Sequence, residues 1–315
     1  MITITRAPPY LTVQDRGRSG SRAAGVPHGG AMDSFALRAA NSLAGNPFDA
    51  AGLEWALGGG SIRFEDDAVF SLGGANANAT SAGRPATPYT TIYAKAGDEL
   101  NIEQVPSGRF LYLAVRGGIG VPLVLGSRST YLPGRFGGFQ GRMLKRGDSL
   151  APGSESTHLP AEGCHSPADL LPRYEPGVVH VTRGTHADLF DDSAWRTLTE
   201  SEYRVSAASD RTGYKLEGAT LANPAGTLPS EAGCPGSIQI PGDGLPIVLM
   251  ADAPTVGGYP KIAVVAEADL PIIAQRSPGG TIRFELITIE QSQRALKRRV
   301  ADLHTIRQLA LRSSR

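Results

Sequence analysis

The richest stretch of reactive side chains runs from Leu249 to Ile262, where Met250-Ala-Asp252 is followed by Gly257-Gly-Tyr-Pro-Lys261. An apolar run at 247–250 leads into Asp252, a glycine pair turns the chain, and a second apolar run starts at 262. The pattern predicts a hairpin-like connection across which Asp252 and Lys261 face each other. A carboxylate held there can orient an amide N–H, and an ammonium can stabilise an oxygen that gains negative charge. A loop ion pair of modest worth satisfies the same pattern. Tyr259, next to the lysine, is a further contact for a small ligand.

Three more segments mix polar side chains with glycine, as where backbone closes on a ligand. Leu125-Gly-Ser-Arg-Ser-Thr-Tyr131 sets four polar groups in a row after an apolar run. Ser127 offers a hydroxyl there and Arg128 a planar two-pronged fork for carboxylate or phosphate; a polar turn is the plainer alternative. The glycine-rich stretch 134–141 behind it reads as a mobile loop that either closes over a substrate or joins two strands. Ser209-Asp-Arg-Thr-Gly-Tyr214 puts Arg211 and Tyr214 in a β-turn, as site residues or as half of a surface Arg–Glu pair. Gly25-Val-Pro-His-Gly-Gly-Ala-Met-Asp33 ends on an acid that helix capping alone explains.

Several chemistries lack their signatures. The chain has no phosphate-binding P-loop, no nucleophile elbow, no dinucleotide fingerprint and no paired Cys or His spacing for a metal. Cys164-His165 stands alone, the remaining histidines are scattered, and no Ser/His/Asp triad is legible from spacing. No metal ligand set is expected.

The scaffold that must position these groups is built from short strands. Glycine and proline make up about a fifth of the 315 residues, well above the usual roughly 12%. With 41% hydrophobic and 19% charged residues, the chain is neither disordered nor a coiled coil and can bury a sizeable core. Strands are expected at 2–5, 61–65, 68–72, 90–94, 99–103 and 110–115. A second set is expected at 178–182, 203–206, 237–240, 247–250, 262–266 and 281–287. In the last of these Ile282, Phe284 and Leu286 share one face. Helices are expected at 33–44 with Asp33 as N-cap, at 187–198, and at 269–274. A last helix follows Thr288-x-x-Gln291, a capping box, with Leu296, Val300, Leu303 and Ala310 as its apolar contacts. Its seven basic residues against two acids are read as a solvated face.

The net charge of +1 gives no long-range pull toward nucleic acid or anionic lipid, and no apolar run is long enough to span a membrane. With two cysteines and no secretory leader legible, a reducing cytoplasm is expected. The Pro-, Gly- and Ser-rich stretch 152–176 reads as a linker. It divides a first β-domain at 1–160, with chain exchange able to make it discontinuous, from a second at 173–290. The basic helix occupies 291–315.

Taken in order, Thr12-Val-Gln-Asp-Arg-Gly17, the segments through Asp33, 125–132 and 210–214, and 246–261 resemble the allophanate hydrolase subunit 2 family. This is also called the KipA or biotin-dependent carboxyltransferase family, and the likeness covers about 1–290. The resemblance implies a mostly β fold of two cyclophilin-like barrel domains, with few short helices beside the C-terminal one. It implies an active site shared with a KipI/PxpB-like subunit 1. The family includes the carboxyltransferase part of urea carboxylase and a 5-oxoprolinase subunit that works with a LamB/YcsF (PxpA)-like protein. No biotin-attachment motif and no amidase region are present, which favours the oxoprolinase arrangement.

On this reading the amide oxygen of 5-oxoproline attacks the γ-phosphate of ATP. Arg128, Arg211 and Lys261 neutralise the phosphate with Mg2+ assisting, and Asp252 holds the lactam N–H. One alternative keeps the site and moves CO2 from carboxybiotin, on a separate carrier, to urea or a related amide. Another is a non-catalytic KipA-like regulator that counteracts an inhibitor of a sensor kinase.

Overall fold

The computed structural model describes residues 1–153, 158–175, 177–223 and 228–314. The chain forms two compact units, both discontinuous in sequence. The first takes Met1–Arg18, Gly29–Leu171 and Val300–Arg315, the second Ser19–His28 and Pro172–Arg299. Part of the stretch read as a linker, 154–157 and 176, lies outside the described residues. Within it, Thr91 N–H donates to Cys164 O (2.7 Å) and Ser166 N–H to Tyr89 O (3.0 Å), so this portion is tied into the first unit.

The first unit is a nine-stranded sheet organised around Glu99–Val115. One half of that strand pairs with Gly60–Phe64 and the other with Gly52–Ala56, while Ala68–Ser81 runs along its other edge. Two strands were expected at 99–103 and 110–115, on either side of Pro106-Ser-Gly108. The structure keeps one strand of 17 residues. The register against Ala68–Ser81 slips at Gly74/Asn76, Asn76/Asn78 and Asn78/Ala79. Such bulges accommodate the proline and glycine inside the pairing. Trp55, Phe64, Phe70 and Leu113 fill the core.

The second unit is a closed barrel. Val178–Arg183, Lys261–Val265, Ser237–Gln239, Ile247–Leu249, Gly213–Glu217, Tyr203–Val205 and Thr281–Leu286 follow one another around it. The parallel pairing of Thr281–Leu286 with Val178–Arg183 closes the ring. Closure removes both sheet edges. Ile282 and Phe284 point inward as their alternation requires, but Leu286, at the strand end, is exposed.

Among the described residues four α-helices accompany the strands: α1 (Ser34–Leu43), α2 (Asp192–Glu200), α3 (Leu270–Ala274) and α4 (Ile289–Arg312). In α1 the Asp33 carboxylate accepts from Ala36 N–H (2.9 Å), and Gly45 follows the C-cap at φ +81°. The helix expected at 187–198 is a 3-10 turn, Ala187–Leu189, followed by α2 under its own cap, Asp191. The capping box of α4 is made, with Thr288 N–H on Gln291 Oε1 (2.7 Å) and Gln291 N–H on Thr288 Oγ1 (3.2 Å). Leu303, Ile306 and Ala310 of α4 pack on Phe35, Ala39 and Leu43 of α1. Val300, expected among the apolar contacts, is exposed because the helix turns Ile306 inward instead. Among the described residues no helix is long and apolar enough to cross a membrane.

Candidate active site

In the second unit two loops at one end of neighbouring strands bring Arg211 and Asp252 together. Asp210 accepts from the Thr212 and Gly213 N–H groups (2.8 and 3.3 Å), fixing the turn that carries Arg211. Asp252 N–H donates to Arg211 O (2.9 Å) and Met250 N–H to Thr212 O (3.0 Å), which knits the loops through backbone. Arg211 Nε and Nη2 then donate to Asp252 Oδ2 and Oδ1 at 2.9 and 3.0 Å, with both side chains nearly buried. This is the two-pronged geometry that planar guanidinium and carboxylate favour. Arg22, from the segment 19–28, donates to the carbonyls of Gly233, Pro254 (3.4 Å) and Thr255 (3.3 Å) and pins the far side of the same loop.

Lys261 opens the strand Lys261–Val265, and its side chain is almost fully buried. Its ammonium donates to Glu231 Oε1. Glu231 reaches it because Glu231–Ala232 pairs with Val256–Gly257 as a small ribbon. Thr185 Oγ1 donates to the same carboxylate oxygen (3.1 Å), and His186 Nε2 lies 3.6 Å from it. Lys261 N–H donates to His186 Nδ1 (3.1 Å), so that nitrogen is the acceptor. The hydrogen bond from Lys261 holds the Glu231 carboxyl below the usual carboxylate range.

The expected Asp252–Lys261 pair is therefore replaced by two separate pairs, Arg211–Asp252 and Lys261–Glu231. The connection between the strands is not a plain hairpin: Val256–Gly257 leaves it to pair with Glu231–Ala232, and that ribbon supplies the lysine's partner. Tyr259 is exposed on this connection. Tyr214 lies in the strand Gly213–Glu217 rather than in a turn. Its ring is fully buried and its hydroxyl donates to Ala274 O (2.9 Å), so it serves the barrel core rather than a ligand.

The remaining expected site residues belong to the first unit. Asp15 is their hub: its carboxylate accepts from Ser127 Oγ (2.6 Å), Ser129 Oγ (2.6 Å) and the Arg128 and Gly17 N–H groups (2.6 and 2.8 Å). Ser127 is fully buried with its hydroxyl committed to Asp15. Arg128 is half-buried and donates from Nε to Val121 O (3.0 Å). Asp33 is buried and caps α1, while its N–H donates to Tyr112 Oη (2.7 Å). Tyr112 donates in turn to Glu54 Oε2 (2.8 Å), and burial beside Glu54 pushes its phenol well above the usual range. The stretch 134–141 is a tightly wound turn: added Cβ atoms at Gly137, Gly138 and Gly141 would each collide with neighbouring atoms. Among the described residues no group of three or more His, Cys, Asp or Glu could hold a metal ion.

Glu231, His186, Thr185 and Arg22 escaped sequence reasoning, whereas Asp15 lies in the Thr12–Gly17 motif that the sequence already offered. Arg22 and Thr185 stand beside glycines, but their partners are 211 and 46 residues away, so local spacing could not reveal the contacts.

Residues 24–286 match the model of the carboxyltransferase domain, subdomain A and B. The chain is 40% identical to the C subunit of 5-oxoprolinase from Escherichia coli (strain K12), over 99% of this chain and 98% of that protein. It is 35% identical to the Haemophilus influenzae protein of the same name, over 98% of each. The crystal structure of Kluyveromyces lactis urea carboxylase superimposes with a TM-score of 0.89 at 29% identity, covering 97% of this chain and 29% of that one. The chain belongs to the family of carboxyltransferase domains composed of subdomains A and B.

Proposed function

We propose that this chain is the C subunit of an ATP-dependent 5-oxoprolinase, acting in the cytoplasm with a KipI/PxpB-like subunit and a LamB/YcsF (PxpA)-like protein. One observation carries the reading: the likeness to the C subunit of the Escherichia coli 5-oxoprolinase runs end to end in both proteins, whereas urea carboxylase is matched over less than a third of its length.

The polar end of the barrel supports the chemistry. The lactam oxygen of 5-oxoproline attacks the γ-phosphorus of ATP; an O–P bond forms as the bond to ADP breaks. Lys261 and Arg211 supply the positive charge that the transferring phosphoryl group needs. ATP enters as a substrate with the Mg2+ it carries. Asp252 uses two acceptor positions on Arg211, and an ionised carboxylate has about four. It therefore accepts the lactam N–H while Arg211 fixes its orientation. Glu231 accepts from the Lys261 ammonium and fixes where it points. Tyr259, on the exposed connection, contacts the substrate. Ring opening to L-glutamate is completed by the third protein. The test is phosphate release by the three-protein complex: 5-oxoproline must stimulate it, and absence of stimulation refutes the reading.

A second reading rests on the superposition with urea carboxylase over 97% of this chain. Here the same cations stabilise the enolate-like oxygen of biotin while CO2 passes from carboxybiotin to an amide. Avidin-sensitive transfer of labelled carboxylate to urea would favour it over phosphorylation.

A further inference from the structure

We propose that the first unit carries a second ligand site, an oxyanion cleft in which Arg128 and Arg307 grip the carboxylate or phosphate of a small molecule. The cleft has a volume of about 500 Å3 and is walled by the loop 45–51 that follows α1, the turn at 117–119, Gly153, His158 and the last turns of α4. That volume falls in the range of small-ligand pockets, about 300–1,000 Å3.

Its donors are specific. Arg128 is anchored by its own N–H on Asp15 and by Nε on Val121 O, which leaves the Nη edge of the fork for a ligand. The Arg307 guanidinium carbon sits over the Phe48 ring, 4.9 Å from its centroid, a cation–π contact that leaves its N–H groups without an acceptor among the described residues. Neither guanidinium has a carboxylate partner among the described residues. Asp49 also lines the cleft, but it is paired with Arg16 at 3.3 Å.

Backbone does not compete for the ligand. The N–H groups of Gly117, Gly118, Ile119 and Gly153 are spent on Asn46 Oδ1, Val115 O, Ala51 O and Gly117 O at 2.8–3.1 Å. The wall at His158 is closely packed: a Cβ at Gly45 would sit 2.6 Å from His158 O, and His158 Nε2 meets Ala310 O of α4 at 3.2 Å. Two guanidinium forks with no carboxylate partner among the described residues, lining one cleft, suit one planar or tetrahedral oxyanion.

The inference rests on the cleft and not on the 5-oxoproline reading. Titrate the full chain calorimetrically at low ionic strength with inorganic phosphate, 5-oxoproline and ATP in separate arms. At least one arm is expected to saturate. Saturation by phosphate or ATP identifies a phosphate site, and saturation by 5-oxoproline alone a carboxylate site. Arg307→Met, which keeps its stem over Phe48, and Arg128→Met are each expected to weaken that binding tenfold or more. Arg307→Lys, which keeps the charge but loses the fork, is expected to fall between parent and Arg307→Met. Melting curves establish that each variant is folded. No saturation in any arm, or parent-like affinity in either folded Met variant, overturns the proposal. Because the chain is tested alone, this result is separable from failure of substrate-stimulated phosphate release in the complex.

Discussion

Removing the two halves of the Lys261–Glu231 pair should have unequal effects, and the inequality follows from where each charge sits. The lysine side chain is 3% exposed and the glutamate 42%. Lys261→Met leaves a carboxylate that water can reach, beneath an apolar side chain that suits its slot. Exchanging a buried ion for a hydrophobic residue is often neutral or better, so a loss of at most about 1 kcal/mol is expected. Glu231→Leu instead strands an ammonium in the protein. Breaking a fully buried pair from one side costs about 3–5 kcal/mol. With one partner half-exposed we take about 2–3 kcal/mol, or roughly 6–12 °C in melting temperature for a unit of this size. Catalysis should show the opposite order. Lys261→Met removes the cation from the transition state and should lower kcat by about 10^2–10^3-fold, whereas Glu231→Leu retains the lysine and should lose less. Thermal melting of the chain and turnover of the assembled complex provide the two readouts. A Lys261→Met variant less stable than Glu231→Leu would refute the reasoning and make Lys261 a structural pin.

Four further outcomes are expected. Arg211→Met and Asp252→Asn should each destabilise by about 3–5 kcal/mol, while the double variant loses at least about 2 kcal/mol less than their sum, as a double-mutant cycle in urea would reveal. Asp33→Ala should cost about 1–2 kcal/mol through loss of the α1 cap, read as a lower melting temperature. Hydrogen bonds from Arg142 hold the Asp148 carboxyl below the usual range. Its contribution is thus complete above the ordinary aspartate value of about 3.9 and is lost as pH falls through the lower folded value; in acid titrations Arg142→Met should move that loss to higher pH. Gly138→Ala should destabilise by more than about 2 kcal/mol in thermal melts, because φ is +54° there and the new Cβ would meet Thr130 Oγ1 at 1.9 Å.

Features fixed by neighbouring residues were legible in the chain. The Asp33 cap, the glycine after α1 and the Thr288/Gln291 box each act across a few residues, so their side-chain types reveal them. The strand Gly52–Ala56 was not legible. It is buried on both faces and shows no alternation, and its Glu54 accepts from Tyr10, Met32 and Tyr112, 22 to 58 residues away. The candidate site divided in the same way. Arg211, Asp252 and Lys261 stood out by type beside glycine turns, but the pairing did not, because Arg211 and Asp252 are 41 residues apart and Glu231 and Lys261 are 30 apart. Adjacency along a connection suggested an acid facing a cation; a ribbon formed by a distant segment decided otherwise.

The central claim is that the polar end of the second barrel serves phosphoryl transfer to a cyclic amide. Its most direct test is the rate of phosphate release from ATP by a complex assembled from this chain with the proposed PxpB- and PxpA-like proteins, with and without 5-oxoproline. We predict release that depends on 5-oxoproline with the parent chain and falls at least a hundredfold with Lys261→Met. Phosphate release indifferent to 5-oxoproline, or undiminished in that variant, would contradict the account.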